Sequence, residues 1–323
     1  IVLGRGGDQA VIRQNEIYKF FGGRAQEVEK RTKVKARVVA HALENLIKES
    51  NKVMIMGHAN PDIDAMGSSI GIYRLARSLE KNAYIITSNT PTLQSFKESL
   101  LEEPEYEDVL ISKEVAEENI DEDTLLVIVD THKINYVESQ EVLNKAKKIV
   151  IIDHHRRSAD YIENATLTFQ EVYASSAAEL VTELLQYAEV NVELKKIEAE
   201  SLYAGIMMDT KSFTFKTGVR TFEAAAYLRK CGVDIIRVKK WFQSDLESFN
   251  KIADIVKKAE IVNDTIAIAI CDNANPKDVG LLCAKAADEL LTISDVTASF
   301  VLGDVGNKIT ISGRSIGDIN VQV

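Results

Sequence analysis

Apolar residues in the first half of the chain form short, unbroken runs that alternate with stretches of helical periodicity. The unbroken runs cover residues 53–56, 83–86, 125–129 and 149–152. Helical spacing of apolar positions covers residues 36–49, 65–79 and 92–101. Runs that are apolar on both faces are typical of strands in a parallel sheet that is covered by helices. The alternation therefore predicts an α/β domain built on a parallel sheet.

The second half of the chain has a different pattern. Helices are predicted over residues 175–187, 192–208 and 220–230, followed by a long helical region over 235–262. A smaller α/β unit follows, with strands over 266–270, 298–302 and 308–312 and a helix over 279–291. We therefore expect an N-terminal tail and linker (1–35), a first α/β domain (36–232), a helical connector (233–262) and a second α/β domain (263–323). The active site is expected in the cleft between the two α/β domains.

Composition limits the possible functions. The 323 residues suffice for two domains, and the net charge of −10 argues against a broad surface for long nucleic acid. No run approaches the roughly 20 apolar residues that span a membrane. The chain begins with Ile1 rather than Met, so we expect it to be a fragment of a longer protein.

The histidines provide the strongest chemical signal. Four of the five lie in three short acidic motifs: residues 58–64 (HANPDID), 130–132 (DTH) and 153–155 (DHH). Each motif directly follows an apolar run, so the three loops should meet beyond the carboxyl ends of the strands. Asp209, at the end of a predicted helix, adds a further carboxylate. Imidazoles and carboxylates gathered in this way suit a pair of divalent metals, and two metals suit hydrolysis of phosphate esters.

The spacing of the carboxylates indicates how two metals would be held. Asp62 and Asp64 are two residues apart and can face different metal positions, while Asp130 ends a strand and can bridge both. His154 and Asp209 would complete the second position. Taken alone, Asp64 or Asp153 would be an ordinary helix cap, and a pair of adjacent histidines would be weak support for a metal site.

The DHH triplet, together with the other motifs in this order, resembles the DHH phosphoesterase superfamily. The resemblance implies that His58, Asp62 and Asp130 bind one metal ion. It also implies that a second ion, bound by Asp64, Asp130, His154 and Asp209, completes a pair of Mn²⁺ cofactors. Mixed carboxylate and imidazole ligands suit Mn²⁺ better than Ca²⁺ or a thiolate metal.

Further motifs narrow the resemblance to the GdpP-type cyclic-di-AMP phosphodiesterases. Residues 312–315 (SGRS) resemble the substrate-binding motif of the DHH-associated domain, so Ser312 and Arg314 are expected to bind substrate. Residues 4–9 (GRGGDQ), 22–23 and 29–31 resemble the end of a degenerate GGDEF-type domain. Residues 173–180 and 209–213 also match. Members of this family continue after residues 320–322 into a glycine-rich motif that ends in His, which this sequence does not contain.

The resemblance also implies an activity and a location. The expected reaction is hydrolysis of cyclic di-AMP to linear 5′-phosphoadenylyl-adenosine. Full-length members carry two membrane helices and a PAS-like sensor upstream, which implies a location on the cytoplasmic side of the bacterial membrane. The expected partners are a cyclic or linear dinucleotide and a second copy of the chain. Neither long nucleic acid nor membrane contact is expected for this fragment, which should be soluble.

Several roles and functions stay open from the sequence. His155 would orient the phosphate or protonate the leaving oxygen, and His132 would contact the phosphate, support a ligand or be structural. Asn60, Ser175 and Ser176 are candidate substrate contacts, but a turn and a helix cap explain them as well. The alternative functions are a nanoRNase or RecJ-like hydrolase of short linear oligonucleotides, a pyrophosphatase, and a non-catalytic nucleotide or haem sensor module.

Overall fold

The computed structural model describes residues 10–14, 17–21, 25–88, 90, 93–272, 275, 278–306, 308–316, 319 and 321, with the backbone alone before residue 33. Two compact units divide the chain, Ile1–Trp241 and Phe242–Val323. Residues 4–9 and 22–23, which carry much of the predicted GGDEF-type remnant, lie outside the described residues. So do residue 92, where a helix was predicted to begin, and residues 320 and 322.

The first unit is organised around a six-stranded sheet in which every neighbouring pair is parallel. A separate antiparallel hairpin, β1 (Ala10–Gln14) and β2 (Ile17–Phe21), precedes it. The strands of the sheet are β3 (Lys52–Met56), β4 (Asn82–Ile86), β5 (Leu110–Ile111), β6 (Thr124–Val129), β7 (Lys148–Asp153) and β8 (Leu167–Gln170). Their order is β5-β4-β3-β6-β7-β8. The four apolar runs in the sequence are thus the four central strands, and the predicted parallel sheet is confirmed.

Helices surround this sheet and connect its strands. They are α1 (Ala25–Lys48), α2 (Ile63–Ser78), α3 (Gln94–Leu101), α4 (Lys113–Asn119), α5 (Gln140–Lys145), α6 (Ala177–Tyr187), α7 (Lys196–Asp209), α8 (Val219–Lys230) and α9 (Ile235–Trp241). Helix α1 is continuous and includes residues 25–35 of the predicted tail and linker. The domain boundary predicted after residue 35 therefore lies inside a helix. Among the described residues, no helix has the length and apolar character needed to cross a membrane.

Close packing of α2 on α7 determines where the acidic residues of both helices lie. A Cβ atom added at Gly67 would lie 2.3 Å from the carbonyl oxygen of Ser201, and one at Gly205 would lie 2.7 Å from Oδ1 of Asp64. The helices therefore touch at Gly67 and Gly205. They are antiparallel, because Gly67 contacts Ser201 whereas Asp64, nearer the beginning of α2, contacts Gly205, nearer the end of α7. This arrangement brings the beginning of α2 beside the end of α7, where Asp209 lies.

The described residues of the second unit form a four-stranded mixed sheet and two helices. Its elements are α10 (Leu246–Lys257), β9 (Glu260–Val262), β10 (Ile266–Cys271), α11 (Val279–Leu290), β11 (Ala298–Asp304) and β12 (Ile309–Ser315), with strand order β12-β11-β10-β9. Strands β10 and β11 are parallel, and the other two pairs are antiparallel. The predicted second, smaller α/β unit is confirmed.

The predicted helical region over residues 235–262 is interrupted in the structure and ends before residue 262. Helix α9 ends at Trp241, α10 begins at Leu246, and the last three residues of the range form β9. The physical reason is a helix N-cap, because the carboxylate of Asp245 accepts the backbone N–H of Ser248 at 2.8 Å. The predicted connector is therefore divided between the two units, whose boundary lies between Trp241 and Phe242.

Candidate metal centre

Three neighbouring strands deliver the histidine and aspartate motifs to one edge of the parallel sheet. The motif from His58 follows β3, Asp130 follows β6, and Asp153 is the last residue of β7. Strand β6 pairs with both β3 and β7, so the three loops are adjacent. Asp130 has a φ of +58°, a left-handed backbone in which aspartate is enriched among non-glycine residues.

A first ligand group forms around His58. Its Nε2 atom lies 3.4 Å from Oδ2 of Asp130 and 3.8 Å from Oδ1 of Asp62. Asp62 is also the N-cap of α2, since its Oδ1 accepts the backbone N–H groups of Asp64 and Ala65 at 2.9 and 3.0 Å. The ligand atoms of His58, Asp62 and Asp130 are close enough together to bind one ion.

A second ligand group forms around His154. Its Nε2 atom lies 3.3 Å from Oδ1 of Asp130 and 3.1 Å from Oδ2 of Asp209. Asp64, His154 and Asp209 also bring their ligand atoms close enough together to bind one ion. The two carboxylate oxygens of Asp130 therefore face two different histidines.

Asp64 has a second role at this position. It is fully buried, and its two carboxylate oxygens accept the backbone N–H groups of Ala177 and Ala178 at 2.8 and 2.9 Å. These amides belong to the first turn of α6, whose N-terminus attracts negative charge. Asp64 is thus held in place by α6 while it lies beside His154 and Asp209.

The acidic groups strongly affect one another's protonation. Burial raises the pKa of Asp64 well above its usual range, and the charges of Asp130 and Asp209 raise it further. Burial would lower the pKa of His58, but the neighbouring carboxylates of Asp130 and Asp62 outweigh it and raise the pKa to about 11. The pKa of His154 is likewise about 11, because the neighbouring carboxylates of Asp130 and Asp209 outweigh burial. The site therefore favours bound positive charge.

The hydrogen bonding of two buried atoms shows whether these residues fit a metal ion. Oδ1 of Asp130 and Nε2 of His154 have no hydrogen-bond partner among the described residues, although both are buried. Unpaired buried polar atoms are costly unless a ligand satisfies them. Both atoms are metal-ligand types: Nε2 of His154 lies between the carboxylates of Asp130 and Asp209, and Oδ1 of Asp130 faces His154. The described residues therefore fit divalent metal ions at two adjacent positions.

Comparison with known families identifies the domain that carries this site. Residues 52–206 match the family described as "DHH family, N-terminal domain". Residues 52–206 form a DHH-family domain. The matched range contains the motifs at residues 58–64, 130–132 and 153–155, and Asp209 lies three residues beyond it.

Curated relatives of this DHH chain extend the comparison. The chain is 47% identical over 329 residues to "Cyclic-di-AMP phosphodiesterase GdpP" of Geobacillus thermodenitrificans, covering 100% of this chain and 50% of that protein. It is 44% identical to "Cyclic-di-AMP phosphodiesterase PdeA" of Listeria monocytogenes, with the same coverage. The chain therefore spans about half the length of these relatives. The resemblance predicted from the motifs is confirmed.

A solved structure supports the fold. The exopolyphosphatase-related protein from Bacteroides fragilis aligns with a TM-score of 0.73, covering 87% of this chain and 84% of that one. At 21% sequence identity, this likeness shows the fold alone.

An open cleft beside the two ligand groups contains residues that the sequence analysis did not select. Tyr136 is half-exposed, and its ring stacks on that of His58 at a centroid distance of 5.2 Å and an angle of 11°. The carbonyl of Tyr136 accepts the backbone N–H of Ala59 at 2.7 Å, which ties the two loops together. Lys133 also lines the cleft. Lys133 directly follows the motif at 130–132 and Tyr136 lies four residues after it, so the available signal was their closeness in sequence to a predicted bridging carboxylate.

His132, Asp153 and His155 lie at the same edge of the sheet. Asp153 is fully buried, and burial alone would raise its pKa. Hydrogen bonds from His155 and His132 outweigh that effect and lower the pKa to about 2. His155 is half-exposed, with its Nδ1 atom 3.6 Å from Oδ1 of Asp130.

The candidate substrate contacts are placed differently from the ligands. Asn60 is exposed at a turn with a φ of +57°. Ser175 and Ser176 are fully buried: the hydroxyl of Ser175 donates to Glu179 at 2.6 Å, and that of Ser176 caps α6. Both serines are thus occupied within the protein, so a direct substrate contact by either stays a prediction.

The predicted substrate residues of the second unit lie on β12. Ser312 is partly buried on this strand, and Nε of Arg314 donates to Oδ1 of Asp288 on α11 at 2.9 Å. Their roles as substrate ligands stay predictions.

Proposed function

We propose that this chain hydrolyses one phosphodiester bond of cyclic di-AMP to linear 5′-phosphoadenylyl-adenosine, with two Mn²⁺ ions as cofactors. One observation carries the proposal: Oδ2 of Asp130 faces His58, while Oδ1 of the same carboxylate faces His154. Two-metal sites of this kind are suited to phosphodiester hydrolysis. The names of the relatives from Geobacillus and Listeria support cyclic di-AMP as the substrate.

The proposed ligands follow the two groups. His58 and Asp62 would hold one ion, Asp64, His154 and Asp209 the other, and Asp130 both. Asp64 can accept hydrogen bonds from α6 and still bind an ion, because a carboxylate has about four lone-pair positions. Divalent ions bound there supply Lewis acidity and an activated water. Carboxylate and imidazole donors without thiolate support Mn²⁺ as the ion.

Other residues of the cleft bind and orient the substrate in this proposal. The ammonium group of Lys133 neutralises negative charge on the phosphate as it increases during the reaction. His155 presents its ring to the phosphate beside His154. Tyr136 keeps the His58 ring in place by stacking on it.

The deciding experiment measures products with cyclic di-AMP, linear 5′-phosphoadenylyl-adenosine, a short oligoribonucleotide and pyrophosphate in separate reactions with Mn²⁺. We expect cyclic di-AMP to be converted to the linear product, and we expect loss of turnover in EDTA and recovery with Mn²⁺. Faster hydrolysis of the linear substrates would favour the nanoRNase-type alternative, and hydrolysis of pyrophosphate alone would favour a pyrophosphatase. Binding of cyclic di-AMP without turnover would overturn the proposal in favour of a sensor module.

The proposal includes a second copy of the chain as partner and, for the full-length protein, a position on the cytoplasmic side of the bacterial membrane. Analytical ultracentrifugation of the chain tests the first part. Fractionation of cells that express the full-length protein tests the second. A monomer at all concentrations would contradict the expected dimer.

A further inference from the structure

We infer that His132 is a positioning residue that acts through Asp153 to fix the ring of His155 at the edge of the metal site. The inference rests on the proposed function, because the reaction serves as one of its readouts. It is carried by a continuous chain of hydrogen bonds from Ser158 to His155.

The first bond of this chain determines which ring nitrogen of His132 carries hydrogen. Nε2 of His132 lies 2.9 Å from the backbone N of Ser158 and 3.0 Å from its hydroxyl oxygen. A backbone N–H can only donate, so Nε2 must accept. His132 is also almost fully buried, at 2% exposure, which keeps water from competing for this bond.

The second bond follows from the first. A histidine whose Nε2 accepts carries its hydrogen on Nδ1. Nδ1 of His132 is hydrogen-bonded to Oδ2 of Asp153, a carboxylate with no solvent exposure. The side-chain nitrogen of Gln170 is 3.4 Å from the same Nδ1, too far to compete with the carboxylate.

The third step brings the chain to the surface of the site. The other carboxylate oxygen of Asp153, Oδ1, accepts the ring Nδ1–H of His155 at 2.8 Å and its backbone N–H at 3.1 Å. Gln170 donates to the carbonyl of His155 at 2.8 Å. Both the ring and the backbone of His155 are therefore held, and its Nε2 is the ring nitrogen left for a ligand.

This support matters because His155 has little packing of its own. Its side chain is 53% exposed, and its ring centroid lies 4.3 Å from that of His154. An exposed side chain otherwise samples several rotamers, and partners that orient a ring in an active site reduce that freedom. Each oxygen of Asp153 serves one imidazole. Removal of His132 would therefore leave Oδ2 buried without its partner and release the restraint on His155.

A double-mutant cycle separates positioning from general stability. We expect His132→Ala to lower kcat for cyclic di-AMP by about tenfold to a hundredfold, a range typical of residues that orient an active-site group. The same change in a His155→Ala background should have almost no further effect, because the group that it positions is absent. Mn²⁺ affinity, measured by calorimetry, should change little in His132→Ala.

Matched variants test the individual bonds. His132→Asn can place an amide N–H near the position of Nδ1 and should recover much of the lost turnover. Ser158→Ala keeps the backbone N–H that donates to Nε2 of His132, so nitrogen-15 spectra of this variant should still show hydrogen on Nδ1 of His132. Equal fold-losses from His132→Ala in the wild-type and His155→Ala backgrounds would overturn the inference, and so would unchanged turnover in His132→Ala.

A spectroscopic measurement keeps the inference testable if cyclic di-AMP is not the substrate. Nitrogen-15 spectra of the imidazoles should show His155 as a single tautomer with hydrogen on Nδ1 in the wild-type protein. In His132→Ala they should show averaged tautomers. A hydrogen on Nε2 of wild-type His155 would refute the positioning role whatever the reaction.

Discussion

Two groups of buried charges lie at opposite ends of the same pair of helices, α2 and α7, and they are paired in opposite ways. Toward the end of α2, Nε of Arg74 donates to both oxygens of Glu198 on α7 at 2.8 and 2.9 Å. Glu198 also accepts the hydroxyl of Tyr106 and the backbone N–H of Lys195. At the other end, Asp64 and Asp209 lie close together and share His154 as their cationic neighbour.

The difference distinguishes a structural charge network from a binding site. Around Glu198 every described carboxylate oxygen has a donor, so the buried charge is compensated within the protein. Around Asp130 several carboxylates lie close together, and two buried ligand atoms have no hydrogen-bond partner in the described part of the chain. A protein tolerates such a cost where a ligand supplies the missing interaction. The two ends should therefore respond differently to the same kind of substitution.

The largest expected effect is the loss of turnover when Asp130, which lies beside Asp64 and Asp209, is substituted. Asp130→Asn should abolish hydrolysis, because the carboxylate is proposed to serve both ions. The free energy of unfolding without metal should change less than turnover, since the substitution removes the repulsion of Asp64 together with the attraction to His58 and His154. Kinetics with Mn²⁺ and urea unfolding in EDTA measure the two quantities. Substantial turnover in this variant would refute the assignment of Asp130.

The opposite end should show the reverse behaviour. Glu198→Gln should lower the free energy of unfolding by about 3–5 kcal/mol, the usual cost of removing one partner from a buried ion pair. Turnover per folded molecule should change little. Urea unfolding and kinetics on the same preparation test this. A loss of turnover as large as that of Asp130→Asn would show that the two ends are not separable.

The two glycines in the α2–α7 contact offer a smaller and more selective test. Gly67→Ala and Gly205→Ala should each cost about 1–3 kcal/mol of unfolding free energy through overpacking. Only Gly205→Ala should also weaken Mn²⁺ binding, because its Cβ would lie 2.7 Å from Oδ1 of Asp64. Calorimetric titration with Mn²⁺ decides between them. Equal affinities in the two variants would contradict the proposed ligand role of Asp64.

The smallest expected effect concerns the free energy of unfolding at low pH and the charge network around Glu198. Burial would raise the pKa of Glu105, but hydrogen bonds from Lys195 and Tyr73 and the charge of Arg74 lower it to about 2. A carboxyl group whose pKa is lower in the folded state stabilises the protein above its ordinary pKa of about 4.3, and this contribution is lost as pH falls toward 2. Glu105→Gln should therefore flatten the pH dependence of unfolding between these limits. An unchanged slope of the free energy of unfolding against pH would contradict the pairing of Glu105 with Lys195, Tyr73 and Arg74.

The comparison also explains what the sequence could predict. Central strands were recognisable because burial on both faces leaves unbroken apolar runs. The edge strands β5 and β8 were missed, because β5 has two residues and β8 is only partly buried. The Arg74–Glu198 pair was missed because charged residues in a helical pattern resemble a solvated face. Their burial depends on the partner helix, which local periodicity does not specify.

The candidate site was easier to predict than its surroundings. Its histidines and aspartates follow strand ends that the sheet must bring together. The hydrogen-bond chain through Asp153 required two loop conformations, after β6 and after β7, that no local pattern specifies. Lys133 and Tyr136 lack a distinctive motif, and their position in the cleft follows from the turn after β6.

The left-handed backbone of Asp130 has a consequence for experiments that select variants. For most L-residues this conformation costs roughly 1–2 kcal/mol, whereas glycine and asparagine adopt it readily. A library randomised at this position and sorted for folded protein would therefore be enriched in glycine and asparagine. Glycine and asparagine lack the carboxylate, so the best-folded clones would be inactive. At this residue, sorting for folding and sorting for activity should return different sequences.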